Sequence, residues 1–171
     1  MQRIVLTGGP GAGKTSVLLD LRARGYTVGE DAARTIIKAR QTAGLSPRPD
    51  AAEFARQILT AEQRAYRAAV APLTFYERGV VDAAGYLYAA GDVSESDMQR
   101  LIQAHPYDVV FLFPPWQAIY HTDAERDHTF EHAQNVYDST QRTYVEAGYV
   151  PINVPRLSVT QRTEFILANV E

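Results

Sequence analysis

Eight residues near the start of the chain, Gly8-Gly9-Pro10-Gly11-Ala12-Gly13-Lys14-Thr15, constrain it more than any other feature. They follow the pattern G-x-x-x-x-G-K-[S/T]. Before them lies an aliphatic run, Arg3–Thr7, and after them Val17, Leu18 and Leu21 recur at helical spacing. Strand, glycine-rich turn and helix is the context in which this pattern grips phosphate. Glycines let the backbone turn tightly and aim successive N–H groups at phosphate oxygens. The helix then presents its positive dipole end. On this reading Gly9, Pro10, Gly11, Ala12, Gly13, Lys14, Thr15 and Ser16 bind the phosphates. Lys14, expected to be solvent-accessible, reaches the β- and γ-phosphates, and the Thr15 hydroxyl binds Mg²⁺. A dinucleotide fingerprint is absent, because Ser16 stands where G-x-G-x-x-G/A needs glycine or alanine.

The rest of the chain alternates short β-branched runs with helical ones. Further strands are expected at Tyr26–Gly29, Leu73–Tyr76, Val109–Phe113 and Val150–Val154. Helices are expected at Ala32–Ala43, Ala51–Val70, Val80–Ala89, Glu95–Ala104, Thr129–Ala147 and from Ser158 onward. Five strands alternating with helices predict an α/β fold with a parallel sheet and right-handed crossovers. The clear breaks are Thr42–Asp50 and Pro114–Asp127.

Composition narrows the partners. With 46% hydrophobic and 22% charged residues over 171 positions, one globular domain spanning 1–171 is expected. No cysteine is present, which excludes disulfides, thiol catalysis and cysteine-bound metals. A net charge of −3 with no basic run argues against nucleic acid as a partner. No apolar run approaches a membrane span and no signal segment opens the chain, so a cytoplasmic protein is expected.

The third predicted strand runs into Glu77-Arg78-Gly79. In parallel sheets ligands bind beyond the carboxyl ends of the strands. Glu77 can therefore hold Mg²⁺ and Arg78 can neutralise a phosphate. With this signature the chain resembles P-loop small-molecule kinases of the nucleoside-kinase type. It resembles more closely the bacterial predicted ATPases and kinases that include the nicotinamide riboside kinase domain. The family's acidic-x-x-Arg after strand two matches Asp31-Ala32-Ala33-Arg34. Its Gly-Tyr before the last strand and Pro after it match Gly148-Tyr149 and Pro155, and an arginine of the last helix matches Arg162. The resemblance implies a three-layer fold with sheet order 2-3-1-4-5, a lid at about 114–128 carrying Arg126, and ATP with Mg²⁺.

A kinase must orient an acceptor hydroxyl and take its proton. Glu30 and Asp31 end the second strand and point to opposite faces, so one of them suits this work. The resemblance favours Asp31, and Asp31 could equally be a helix N-cap. Arg34 shares the Asp31 face. Asp82 and Tyr86, four apart, could line the acceptor pocket, with Gln57, Glu62 and Gln63 behind them. His128-Thr129-Phe130-Glu131-His132 fits the zinc pattern H-x-x-E-H. The phosphate loop already accounts for the chain, and no second domain leaves room for a protease cleft. The expected function is ATP-dependent phosphoryl transfer to a small hydroxylated, nucleoside-like acceptor. The rival is a nucleotide-gated binding protein or regulatory NTPase without an acceptor.

Overall fold

The computed structural model describes residues 1–121 and 129–170. Its elements are β1 (Gln2–Gly8), α1 (Lys14–Ala23), β2 (Thr27–Val28), α2 (Ala32–Thr42), α3 (Ala51–Ala68), β3 (Leu73–Glu77), α4 (Val80–Ala89), α5 (Glu95–Gln103), β4 (Val109–Phe113), α6 (Phe130–Glu146), β5 (Ile152–Asn153) and α7 (Val159–Leu167). A short 3₁₀ turn covers Gln117–Ile119.

The five strands form one parallel sheet in the order β2-β3-β1-β4-β5. β1 is central, pairing Leu6 with Glu77 of β3 and with Phe111 of β4. Its side chains alternate between the two faces, as a pleated strand requires. Ile4 and Leu6 join Val17, Leu21, Phe75, Phe111 and Ile166 on the α1/α7 side. Val5 points the other way, into Tyr76, Val81, Met98, Val110 and Tyr144. Burial on both faces explains why β1, β3 and β4 read as nearly unbroken apolar runs. A third apolar cluster of Ala32, Ile58 and Ala83 binds α2, α3 and α4 together.

The helix starts differ in an informative way. Asp31, Asp50, Ser94, Thr129 and Ser158 each accept a backbone N–H of the helix they begin, at 3.0–3.3 Å. Helix α1 begins instead at Gly13, with φ 84° and no side-chain cap. Five helices thus satisfy an N-terminal donor from their own sequence, whereas α1 leaves its first donors for something else. No helix among the described residues is long and apolar enough to cross a membrane.

Candidate functional site

The phosphate loop leaves β1 at Gly8, whose φ of 123° only glycine adopts readily, and enters α1 at Gly13. A Cβ on Gly13 would lie 2.6 Å from a guanidinium nitrogen of Arg162, so that position excludes side chains twice over. Lys14 departs from the exposed lysine the motif suggested. It is 4% exposed, and its Nζ donates to the carbonyls of Gly9 at 2.8 Å and Gly8 at 3.4 Å. Burial lowers its pKa to about 7, helped by Arg78 and opposed by Glu77 and Asp31. An ammonium that has lost its hydration in this way is matched to an incoming polyanion.

Next to Lys14, the Thr15 hydroxyl donates to Glu77 Oε1 at 2.8 Å. Burial raises the Glu77 pKa, with Lys14 and the Thr15 hydrogen bond pulling against it. A hydroxyl and a carboxylate converging at a phosphate loop are hard oxygen donors of the kind Mg²⁺ accepts, and these two residues fit that ion.

Arg78 follows at the strand end with φ 66°, the only non-glycine with positive φ among the described residues. That conformation carries a steric cost of roughly 1–3 kcal/mol. Asp82 is what holds it. Expected on the acceptor wall, Asp82 is instead buried behind it, and it contacts Arg78 Nη1 at 3.3 Å. Its carboxylate also accepts from the Thr7 hydroxyl at 2.5 Å, the Tyr144 hydroxyl at 2.7 Å and the Gly79 N–H at 3.1 Å. Sequence spacing could not reveal this, because Thr7 and Tyr144 lie 75 and 62 residues away. The guanidinium of Arg78 also lies 6.0 Å from the centroid of the Tyr86 ring.

These groups open onto one cavity of about 870 Å³. Its donor side is lined by Pro10, Gly11, Gly13, Lys14, Thr15, Ser16 and Glu77, and Arg162 stands beside them. Its other side is lined by Asp31, Arg34, Ile37, Arg48, Phe54, Ile58 and Tyr86, drawn from α2, α3, α4 and the turn before α3. Gly9 and Ala12 are buried and take no part in the wall. Asp31 is both the α2 N-cap, at 3.1 Å from the Arg34 N–H, and a wall residue, so the two readings of it coexist. Glu30 is exposed and off the wall, which leaves Asp31 as the carboxylate of that pair at the cavity. Arg126 and His128 lie outside the described residues, as does the 122–128 part of the stretch assigned to a lid. Among the described residues no cluster of three metal-ligating side chains occurs, and His132 lines the cavity.

Two buried residues carry more weight than the sequence gave them. Glu62 is 4% exposed on α3, one turn beyond Ile58. Burial, reinforced by Asp82 and Asp31, raises its pKa to about 8. Arg162, also 4% exposed, belongs to α7, reaches the Ala12 carbonyl of the phosphate loop and lines the cavity. Besides the match to a family arginine, its signal in the sequence is a charge on the buried face of the last helix, beside Thr163 and Ile166.

Comparison with known proteins agrees with this architecture. A family model described as an AAA domain matches residues 3–162. No match was found among curated proteins. Among solved structures, deoxyadenosine kinase from M. mycoides with bound dATP superposes with a TM-score of 0.64 at 14% identity, covering 99% of both chains. The NadR protein in complex with NAD and AMP-PNP gives 0.70 at 13% identity, covering 99% of this chain and 48% of that one. Shikimate kinase from Aquifex aeolicus gives 0.58 at 15% identity, covering 99% and 96%. At such identities the likeness is one of fold.

Proposed function

The chain belongs to the AAA-domain family, and from that premise we propose that it is an ATP-dependent phosphotransferase acting on a small hydroxylated, nucleoside-like molecule. The observation that carries the proposal is the shared cavity: a phosphate-binding wall and a second, partly apolar wall face each other across about 870 Å³. A regulatory NTPase needs only a water beside the γ-phosphate, whereas this cavity has room for a second molecule of ring size. The solved relatives, a deoxyadenosine kinase with bound dATP, NadR with NAD and AMP-PNP, and a shikimate kinase, support the same reading.

In this account the loop N–H groups and Lys14 hold the β- and γ-phosphates, which concentrates positive charge where negative charge develops during transfer. Thr15 and Glu77 would hold Mg²⁺, which supplies neutralisation of the bridging phosphate oxygens. Asp31 orients the acceptor hydroxyl and takes its proton as the new P–O bond forms. Arg78, locked by Asp82, fixes the phosphate in transit. Arg34, Tyr86 and the apolar side chains of α2 and α3 position the acceptor. Arg126 is assigned to the transition-state charge.

The test is a transfer assay with γ-labelled ATP over nucleosides, sugars, aminoglycosides and nucleic-acid 5′ ends. The proposal expects label on one small-molecule class. Label confined to inorganic phosphate, at a rate no panel member alters, would favour the regulatory NTPase.

A further inference from the structure

Arg162 is a buried cation, 4% exposed, that has no carboxylate partner among the described residues. Its compensation is meagre. Nη1 donates to the Ala12 carbonyl at 3.1 Å, and the guanidinium lies 5.5 Å from the centroid of the Trp116 ring. Nε is sealed from solvent and has no partner at all. Burial alone acts on its pKa, and it acts downward. Every other buried cation of the site has carboxylates around it: Lys14 faces Glu77 and Asp31, and Arg78 faces Asp82.

A charge taken out of water with one neutral acceptor and one ring face is expensive to keep. Methionine or leucine would fill the same volume at the α1/α7 packing surface. The position of the charge tells what repays the cost. Arg162 lines the nucleotide cavity at the shoulder formed by Ala12 and Gly13, where the first N–H groups of α1 carry no side-chain cap. An anion held by those N–H groups would lie on the side of the loop where the guanidinium stands, 2.6 Å from where a Cβ on Gly13 would be.

We infer that Arg162 is a further resident cation of the donor site, contacting the polyphosphate from the α7 side while Lys14 contacts it from within the loop. The inference rests on the proposal that the cavity takes a nucleoside triphosphate, and it adds a phosphate ligand outside the phosphate-loop motif. Because the same group holds the Ala12 carbonyl, it also couples the position of α7 to the shape of the loop.

The probes are inorganic tripolyphosphate and ATP, titrated against the full chain. Arg162→Gln keeps an N–H donor for Ala12 and removes the charge. The variant should stay folded, lose about 10- to 100-fold in affinity for both probes, and show a shallower salt dependence of binding. Arg162→Lys should recover part of the loss, since a point charge replaces the planar fork. Unchanged affinities in a folded Arg162→Gln protein would reduce Arg162 to a clamp on the loop and overturn the inference alone. A loss confined to ATP would also overturn it, by moving the contact from the polyphosphate to the nucleoside. Should the variant not fold, the native protein decides: Trp116 is the single tryptophan, and tripolyphosphate should alter its emission as the guanidinium gains a new partner. No change in emission on saturated binding contradicts the inference. If the native protein binds neither probe, the nucleotide reading falls and this inference falls with it.

Discussion

The two walls of the cavity are built in opposite ways. The donor wall comes from one contiguous loop and the adjoining strand end, and its polar groups are locked to one another: Lys14 on Gly9, Thr15 on Glu77, Arg78 on Asp82. The wall assigned to the acceptor comes from Asp31 at the α2 N-cap and single side chains on α2, α3 and α4, with Arg34, Ile37, Phe54, Ile58 and Tyr86 among them. Binding a triphosphate is the same task in any protein, so its geometry can be fixed in a short stretch of backbone. Recognising an acceptor is particular to one molecule, and scattered side chains can be replaced one at a time without disturbing the sheet.

The largest effect should come from the donor wall. Lys14→Ala should lower phosphoryl transfer by about 10²–10³-fold, measured as single turnover with γ-labelled ATP, while the melting temperature stays near that of the native protein. A variant that unfolds, or one that transfers normally, would show that the buried Lys14 serves packing rather than phosphate.

Arg78 tests whether the donor wall stores strain for function. Arg78→Gly relieves a left-handed backbone at a non-glycine residue and leaves Asp82 with its contacts to Thr7, Tyr144 and Gly79. Transfer should fall by roughly 10–100-fold, the scale of one charged hydrogen bond, with no loss in melting temperature. A marked drop in stability would mean that Arg78 is structural.

Glu77→Gln removes the anionic partner of Thr15. Mg²⁺-dependent nucleotide affinity should fall by roughly tenfold, and affinity measured in chelator should not change. Equal losses with and without Mg²⁺ would remove Glu77 from the metal assignment.

A smaller, pH-dependent effect belongs to buried Glu62 on α3. The pKa of Glu62 rises from 4.5 to about 8, so the folded chain holds that proton more tightly than the unfolded chain does. Its contribution to stability is complete below about pH 4.5 and is lost as pH rises through about 8. Thermal melts of native protein and Glu62→Gln should coincide near pH 5 and separate by pH 9, with the variant more stable. A constant gap across that range would place Glu62 in contact with solvent or with a cation.

What the sequence could disclose follows the same division. The phosphate loop and Glu77-Arg78 were legible because their chemistry demands fixed spacing, and β1, β3 and β4 because burial on both faces leaves an unbroken apolar run. Strands β2 and β5 shrink to two residues each at the sheet edges, where one neighbour is missing and the pattern weakens. Helix α1 starts at Lys14, ahead of the first apolar position of its periodic run at Val17, because Gly13 rather than a capping side chain begins it. Asp82 and Arg162 could not be placed from spacing. Each acts across more than 60 residues of chain, on Thr7 and Tyr144 in one case and on Ala12 in the other. Asp31 was legible as an acidic helix start favoured by the resemblance, and the cavity, which Asp31 lines and Glu30 does not, separates the two in space.

The central claim is that donor and acceptor share this one cavity through different walls. Ala51, exposed at the start of α3, lines the cavity and takes no part in the contacts that order Lys14, Thr15 and Arg78, so Ala51→Trp is placed to narrow one wall and spare the other. The decisive measurement is the fate of the γ-phosphoryl group of labelled ATP, followed in native protein and in Ala51→Trp with ATP affinity titrated alongside. The account predicts an organic phosphate product from the native protein, loss of that product in the variant, and the same ATP affinity in both. Label appearing solely as inorganic phosphate in both proteins would contradict it.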